Sequence, residues 1–169
     1  APDEEEPDRQ SEVFFNNEML ENRDISAIAG KVFSKTTDKD DFRTCDAMAA
    51  SGIRGFRYSE FSDHLVLNDV NPNARDNILE GLEKNGLEGE VTGKDANVLL
   101  SENRNRFHLI DIDPFGSFTN FLDSTARAAN HSSFVGLTST DNAAPAGSYS
   151  KVCQRRYGSK PLKNSFKHE

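Results

Sequence analysis

Asp113-Pro114-Phe115 is the stretch whose residue types and spacing carry the most specific chemistry. A carboxylate and the main-chain carbonyl next to it can accept both N–H groups of one amine. An exocyclic amine on a base is a poor nucleophile, because its lone pair is delocalised into the ring. Two such hydrogen bonds draw the nitrogen toward tetrahedral geometry and aim its lone pair outward. Pro114 has a fixed φ and no N–H, so its carbonyl is held rigidly. Phe115 supplies a face for stacking, worth about 1–3 kcal/mol per base. Alignment supplies much of the rate, and general-base help from Asp113 adds about 10²–10⁴-fold. Asp111 lies two residues earlier and faces the same side of an extended strand. It reads as a buried structural acid held by backbone N–H groups, with direct chemistry as the alternative.

Three further acids are spaced to hold a cofactor. Asp46 precedes Ala-Met-Ala-Ala-Ser-Gly-Ile-Arg-Gly, residues 47–55. Small residues there, Ser51 and Gly52 among them, let a ligand approach the backbone and meet a helix N-terminus. Beyond these glycines, Asp69 in Leu-Asn-Asp-Val suits ribose hydroxyls. Asp95, followed by Ala96, suits an adenine amino group. The full G-x-G-x-x-G pattern of dinucleotide sites is absent. A nicotinamide cofactor carries a pyrophosphate and favours that pattern. S-adenosyl-L-methionine has no phosphate and carries a sulfonium cation, which suits acids. The reading is therefore S-adenosylmethionine-dependent methyl transfer to a base amino group, with no metal.

These residues need elements to place them. Helical spacing runs over 19–34. A strand over 42–47 leads through the small-residue turn into a helix over 52–61. Then follow a strand over 64–70, a helix from Pro72 through Asn85 closed by Gly86, and a short strand over 90–93. A helix over 96–102, a strand over 107–112, a helix over 117–130 capped by Ser117, and a strand over 134–140 complete the pattern. Alternating strands and helices predict an α/β, Rossmann-like class I methyltransferase fold: a mostly parallel sheet with helices on both faces. In such sheets ligands sit beyond the carboxyl ends of the strands, where all of these acids fall.

The chain has 169 residues, enough for one domain with its own core. Two cysteines far apart, Cys45 and Cys153, argue against a disulfide framework or a zinc site and suit a reducing, cytoplasmic compartment. No apolar run is long enough for a membrane span. The net charge of −8 is a poor prior for a nucleic-acid partner, but its distribution is uneven. Residues 1–12 hold six acids against Arg9 and read as a disordered leader. Residues 151–169 hold six Lys and Arg against one acid, a tail suited to phosphate. The catalytic domain is expected to occupy 13–169.

At these motifs the sequence resembles the tRNA (guanine-N2)-dimethyltransferase family. The matching pieces are Val-Phe-Phe-Asn (13–16), Asn-Arg-Asp (22–24), residues 46–55, Leu-Asn-Asp-Val-Asn (67–71) and Asp-Ala-Asn (95–97). Ile-Asp-Pro-Phe-Gly-Ser (112–117), Thr-Ser-Thr-Asp (138–141), Arg-Tyr-Gly (156–158) and His-Glu (168–169) match as well. The resemblance implies S-adenosylmethionine-dependent methylation of the guanine amino group near position 26 of tRNA. It implies that Arg23 and Arg54 hold the cofactor's carboxylate end, Asp69 its ribose, and Asp95 with Ala96 its adenine. It implies a catalytic Asp113, with Phe115 against the guanine and Asp141 beside the target pocket. Phe14, Phe15, Arg155, Arg156 and Tyr157 are further candidates for contact with tRNA. Asn17 stands where the family usually has Pro, and residues 142–146 depart from its usual run. The family fold continues past His168-Glu169 into further strands and a C-terminal domain, which are expected to be missing here. Two other readings stay open: an amino-methylating enzyme acting on rRNA, DNA or protein, and a non-catalytic RNA-binding remnant.

Overall fold

The computed structural model describes residues 19–37, 39–141 and 143–161. Five strands form one parallel sheet in the order β3-β2-β1-β4-β5. They are β1 (Arg43–Asp46), β2 (His64–Asn68), β3 (Glu90–Thr92), β4 (Phe107–Ile112) and β5 (Ala129–Leu137). The helices are α1 (Leu20–Thr36), α2 (Ile53–Tyr58), α3 (Pro72–Asn85), α4 (Ala96–Glu102), α5 (Leu122–Ala128) and α6 (Ser150–Tyr157).

Period-two alternation divides the core between the two faces of the sheet. Cys45, Val66, Ile110 and Ile112 pack with Leu99 and Leu100 of α4 and Ala128 of α5. Leu65, Leu67 and Leu109 pack on the other face with Tyr58 of α2 and Ile78 and Leu82 of α3. Each such fully buried aliphatic side chain contributes about 1.5–3 kcal/mol. Asp46 and Asp111 are register partners in neighbouring strands, so both carboxylates emerge on the α2 face.

Local chemistry sets several boundaries as expected. Pro72 opens α3 behind an Asn71 cap, and Gly86 closes it at φ 61°. Asp95 also caps α4, a role the sequence reading did not give it, by accepting from the N–H groups of Asn97 and Val98. Two expectations are corrected. The helix over 117–130 is a 3₁₀ turn, Phe118–Phe121, followed by α5, which ends at Ala128. Ser117 caps the turn, not an α-helix. The last strand begins at Ala129 and ends at Leu137, before Thr140. Its polar start, Asn130 to Ser133, is held by pairing with β4 through a register shift between Phe107 and Leu109. The leader over 1–12 lies outside the described residues. Among those described, no helix is long and apolar enough to cross a membrane, and both cysteines are buried free thiols.

Candidate active site

A cleft of about 330 Å³ lies at the carboxyl ends of the strands, where the strand order reverses between β1 and β4. Small-molecule sites run from about 300 to 1,000 Å³. Arg23, Asp46, Ser51, Arg54, Asp69, Asp95, Ala96, Asp113, Pro114 and Phe115 all line it. The fold thus brings residues from four strand tips and α1 onto one cavity. Gly52 is not among the lining residues and serves the turn instead.

That turn is shaped by backbone that most residues avoid. Ala50 sits at φ 46° and Gly52 at φ 78°, and a left-handed conformation costs a non-glycine residue about 1–2 kcal/mol. A Cβ on Gly52 would come within 2.6 Å of Phe56. Asp69 holds the turn down: Oδ2 accepts from Ala50 N at 2.8 Å, and Oδ1 accepts from Asn71 N at 2.8 Å. The neighbouring Asn68, 1% exposed, ties three strand tips together. Its Nδ2 donates to Ala47 O and Lys94 O, each at 2.9 Å, and its Oδ1 accepts from Thr92 Oγ1 and Lys94 N. Such a satisfied network rigidifies the rim of a site.

The floor of the cleft is a charge cluster. Arg54 Nη2 donates to Asp113 Oδ2 at 2.6 Å and to Asn22 Oδ1 at 2.9 Å. Its Nη1 faces Asp111 Oδ2 and Oδ1 at 3.3 and 3.4 Å, and Ser26 Oγ at 3.2 Å. The Tyr58 hydroxyl also donates to Asp111 Oδ2. Asp111 is therefore held by a phenol and a guanidinium, not by the backbone N–H groups expected for it. Burial opposes the Arg54 charge, but Asp111 and Asp113 outweigh it and raise its pKa. Burial raises Asp113 above the ordinary carboxyl range, while Arg54, Arg23 and the Thr138 hydroxyl pull it back. Asp111 is raised by burial against the pull of Arg54 and Tyr58. Asp46 is pushed well above the ordinary carboxyl value by burial and then by Asp111. Its Oδ2 is buried and has no hydrogen-bond partner among the described residues. Burial and the nearby Arg57 and Arg54 lower the pKa of Arg23. Two guanidiniums thus face Asp111 and Asp113, with the raised acid Asp46 beside them.

Residues 3–169 match the family described as N2,N2-dimethylguanosine tRNA methyltransferase. The chain belongs to this family. The tRNA (guanine(26)-N(2))-dimethyltransferase of Methanococcus maripaludis is 41% identical over 170 residues, covering 96% of this chain and 46% of that protein. The enzyme of the same name from Methanothermobacter thermautotrophicus is 37% identical, covering 100% of this chain and 45% of its own length. Trm1 from Pyrococcus horikoshii, solved with S-adenosyl-L-methionine, superposes with a TM-score of 0.82 at 30% identity, covering 96% of this chain and 47% of that one. The chain spans somewhat under half the length of these relatives. Trm5b from Pyrococcus abyssi, with a TM-score of 0.61 at 14% identity, shares the fold.

In this dimethylguanosine methyltransferase family member, the Asp113-Pro114-Phe115 corner is pinned to the segment after β5. Gly116, at φ 94°, donates its N–H to Thr140 Oγ1 at 2.7 Å and accepts from Thr140 N at 3.1 Å. Phe115 is 79% exposed, a ring presented to solvent beside the cleft. Asp141 does not line the cleft; its carboxylate pairs with Arg156 of α6. Tyr157 packs edge-on against Phe118 at 6.3 Å, and Arg155 is exposed. Phe14 and Phe15 lie outside the described residues. Sequence reasoning missed Tyr58, Thr138 and Asn68 as supports, and Met48 and Phe121 as lining residues. Only Asn68 carried a signal, by preceding the strand-tip acid. Nothing in the sequence neighbours of Tyr58 marks its bond to Asp111.

Proposed function

We propose that this chain forms the cofactor- and amine-binding part of an S-adenosylmethionine-dependent methyltransferase acting on the exocyclic N2 of guanine, at position 26 of tRNA. One observation carries the reading: the Asp113-Pro114-Phe115 corner and the acids at successive strand tips open onto the same cleft. The residues fit S-adenosylmethionine. The cleft has the right size, the turn over 47–52 is of small residues apart from Met48, and the orphaned Asp46 Oδ2 suits a donor on the ligand. When bound, the cofactor supplies an electrophilic methyl group on a sulfonium.

The chain's own residues then divide the work. Arg23 meets the carboxylate of the cofactor. Arg54, engaged by Asp111 and Asp113, contributes its charge more than a free donor. Asp69 receives ribose hydroxyls on lone pairs left by Ala50 and Asn71, and Asp95 with Ala96 flanks the adenine. Ser51 and Gly52 shape the approach to the backbone. Asp113 and the Pro114 carbonyl accept the guanine N–H bonds, Phe115 stacks on the base, and Asp113 takes the surplus proton as the new N–C bond forms. The guanine, hidden in folded tRNA, is flipped out to reach Phe115. Arg155, together with Tyr157 and the Arg156–Asp141 pair, meets tRNA phosphate, so affinity falls steeply with salt.

The test is incubation with labelled cofactor and unmodified tRNA, followed by nucleoside analysis. Label on guanine N2 is the expected result. Label on another atom, or none despite cofactor binding by calorimetry, overturns the assignment.

A further inference from the structure

Tyr58 is 1% exposed and does not line the cleft, yet its hydroxyl donates to an acid bound to the catalytic cluster. One guanidinium, that of Arg54, serves two carboxylates. It reaches Asp113 Oδ2 at 2.6 Å but stands 3.3 and 3.4 Å from the oxygens of Asp111. Good N–H···O bonds span about 2.7–3.2 Å, so Arg54 leans toward Asp113. Asp111 is 1% exposed and tolerates this imbalance because the phenol serves it instead. Burial and the Asp111 charge push the phenol up, so it remains a donor across the working range. Gly136, the β5 register partner of Asp111, leaves room for this arrangement; a Cβ there would meet Asp111 Oδ2 at 3.3 Å.

We propose that Tyr58 is a positioning residue whose hydroxyl, by satisfying Asp111, leaves Arg54 seated on Asp113 and holds that carboxylate charged and oriented for the target amine. The inference rests on the reading of Asp113 as the amine acceptor. A packing role would need only the ring, which meets Phe61 edge-on at 5.8 Å whether or not it carries a hydroxyl. The charged and titratable groups facing Asp113 are Arg54 from α2, Asp111 from β4, Arg23 from α1 and Asp46 from β1, with the Thr138 hydroxyl after β5. None of these changes identity in the test.

The experiment follows the Asp113 carboxyl by ¹³C NMR titration in chain labelled at aspartate, with Asp113→Asn to assign the signal. In Tyr58→Phe, Arg54 is drawn toward the under-served Asp111, and the Asp113 midpoint rises by about half a unit to one unit. Replacing Tyr58 by 3-fluorotyrosine keeps the ring and strengthens the donor, so the midpoint falls. In the methyl-transfer assay, the acid limb of the Tyr58→Phe rate profile moves up with the midpoint. Its kcat drops about threefold to tenfold while the KM for cofactor stays within twofold. An unmoved midpoint in either variant, or a downward shift in Tyr58→Phe, overturns the proposal. Should Tyr58→Phe not fold, the fluorotyrosine chain decides alone. The titration needs neither RNA nor turnover, so a failure to methylate tRNA would overturn the functional assignment and leave this result readable.

Discussion

Replacing Arg54 by methionine removes the one guanidinium shared by Asp111 and Asp113 while keeping an unbranched side chain in α2. The loss is large because of where the partners lie. The side chain of Asp111 is 1% exposed and that of Arg54 8%, so Asp111 is left as a buried charge with only the Tyr58 hydroxyl to serve it. Breaking a buried pair in this way costs about 3–5 kcal/mol. The Asp113 side chain is 26% exposed, so water screens its share, and it adds little. Asn22 and Ser26 lose partners but are less buried. With a urea slope of about 2 kcal/mol per M, the unfolding midpoint falls by roughly 1.5–2.5 M at pH 8. The sign with pH follows from proton uptake. Asp111 and Asp113 already titrate above the unfolded value in the intact chain, and removing the cation raises them further. A folded state that binds more protons than the unfolded one gains stability as pH falls. The penalty of Arg54→Met is therefore full above the raised folded-state values and shrinks toward the unfolded carboxyl value of about 4. Urea unfolding of both chains at pH 8 and pH 5 reads this difference directly. An equal penalty at the two pH values would refute the claim that an unpaired buried Asp111 is what the mutation exposes.

Asp113→Ala is expected to lower methyl transfer at least a hundredfold while cofactor affinity by calorimetry stays within a few-fold; an equal loss of both contradicts its role. Asp69→Ala removes the acceptor for Ala50 N and Asn71 N as well as the ribose acceptor. Cofactor binding should weaken about tenfold to a hundredfold, and unchanged affinity in calorimetry argues that Asp69 serves only the turn. Gly55→Ala places a Cβ 2.0 Å from Leu67 Cδ2, a side chain with no exposure. Overpacking of this kind costs about 1–3 kcal/mol, so the chain should melt several degrees lower; an unchanged melting temperature would mean that Leu67 turns aside freely. The intact chain should also lose stability as pH rises above about 4, because Asp46, Asp111 and Asp113 all titrate above the unfolded value. Melting temperatures measured between pH 5 and 8 that rise with pH would contradict the upward direction of these three shifts.

The sequence alone determined the alternation of elements and the placing of the candidate site residues at or just beyond strand ends. β4, α4 and the ends of α3 were legible because their signals are local, among them the apolar run of β4 and, for α3, Pro72 at the start and Gly86 at the close. So were Asp46, Asp69, Asp95 and the Asp113-Pro114-Phe115 corner, since each follows a strand and the fold class sends strand ends to one rim. β5 was read late because its first residues are polar; pairing with β4 overrides that pattern, and α5 runs into it without a loop. What only the tertiary structure decided is how the charges are shared. Tyr58 and Asp111 are 53 residues apart, and Arg54 and Asp113 are 59 apart, so no local pattern pairs them. Asp141 turned out to answer Arg156 rather than the cleft for the same reason. Side-chain type and spacing fix which face of an element a group occupies, but whether a carboxylate stays charged depends on burial and on partners from other elements. Those exist only once the sheet has closed around them.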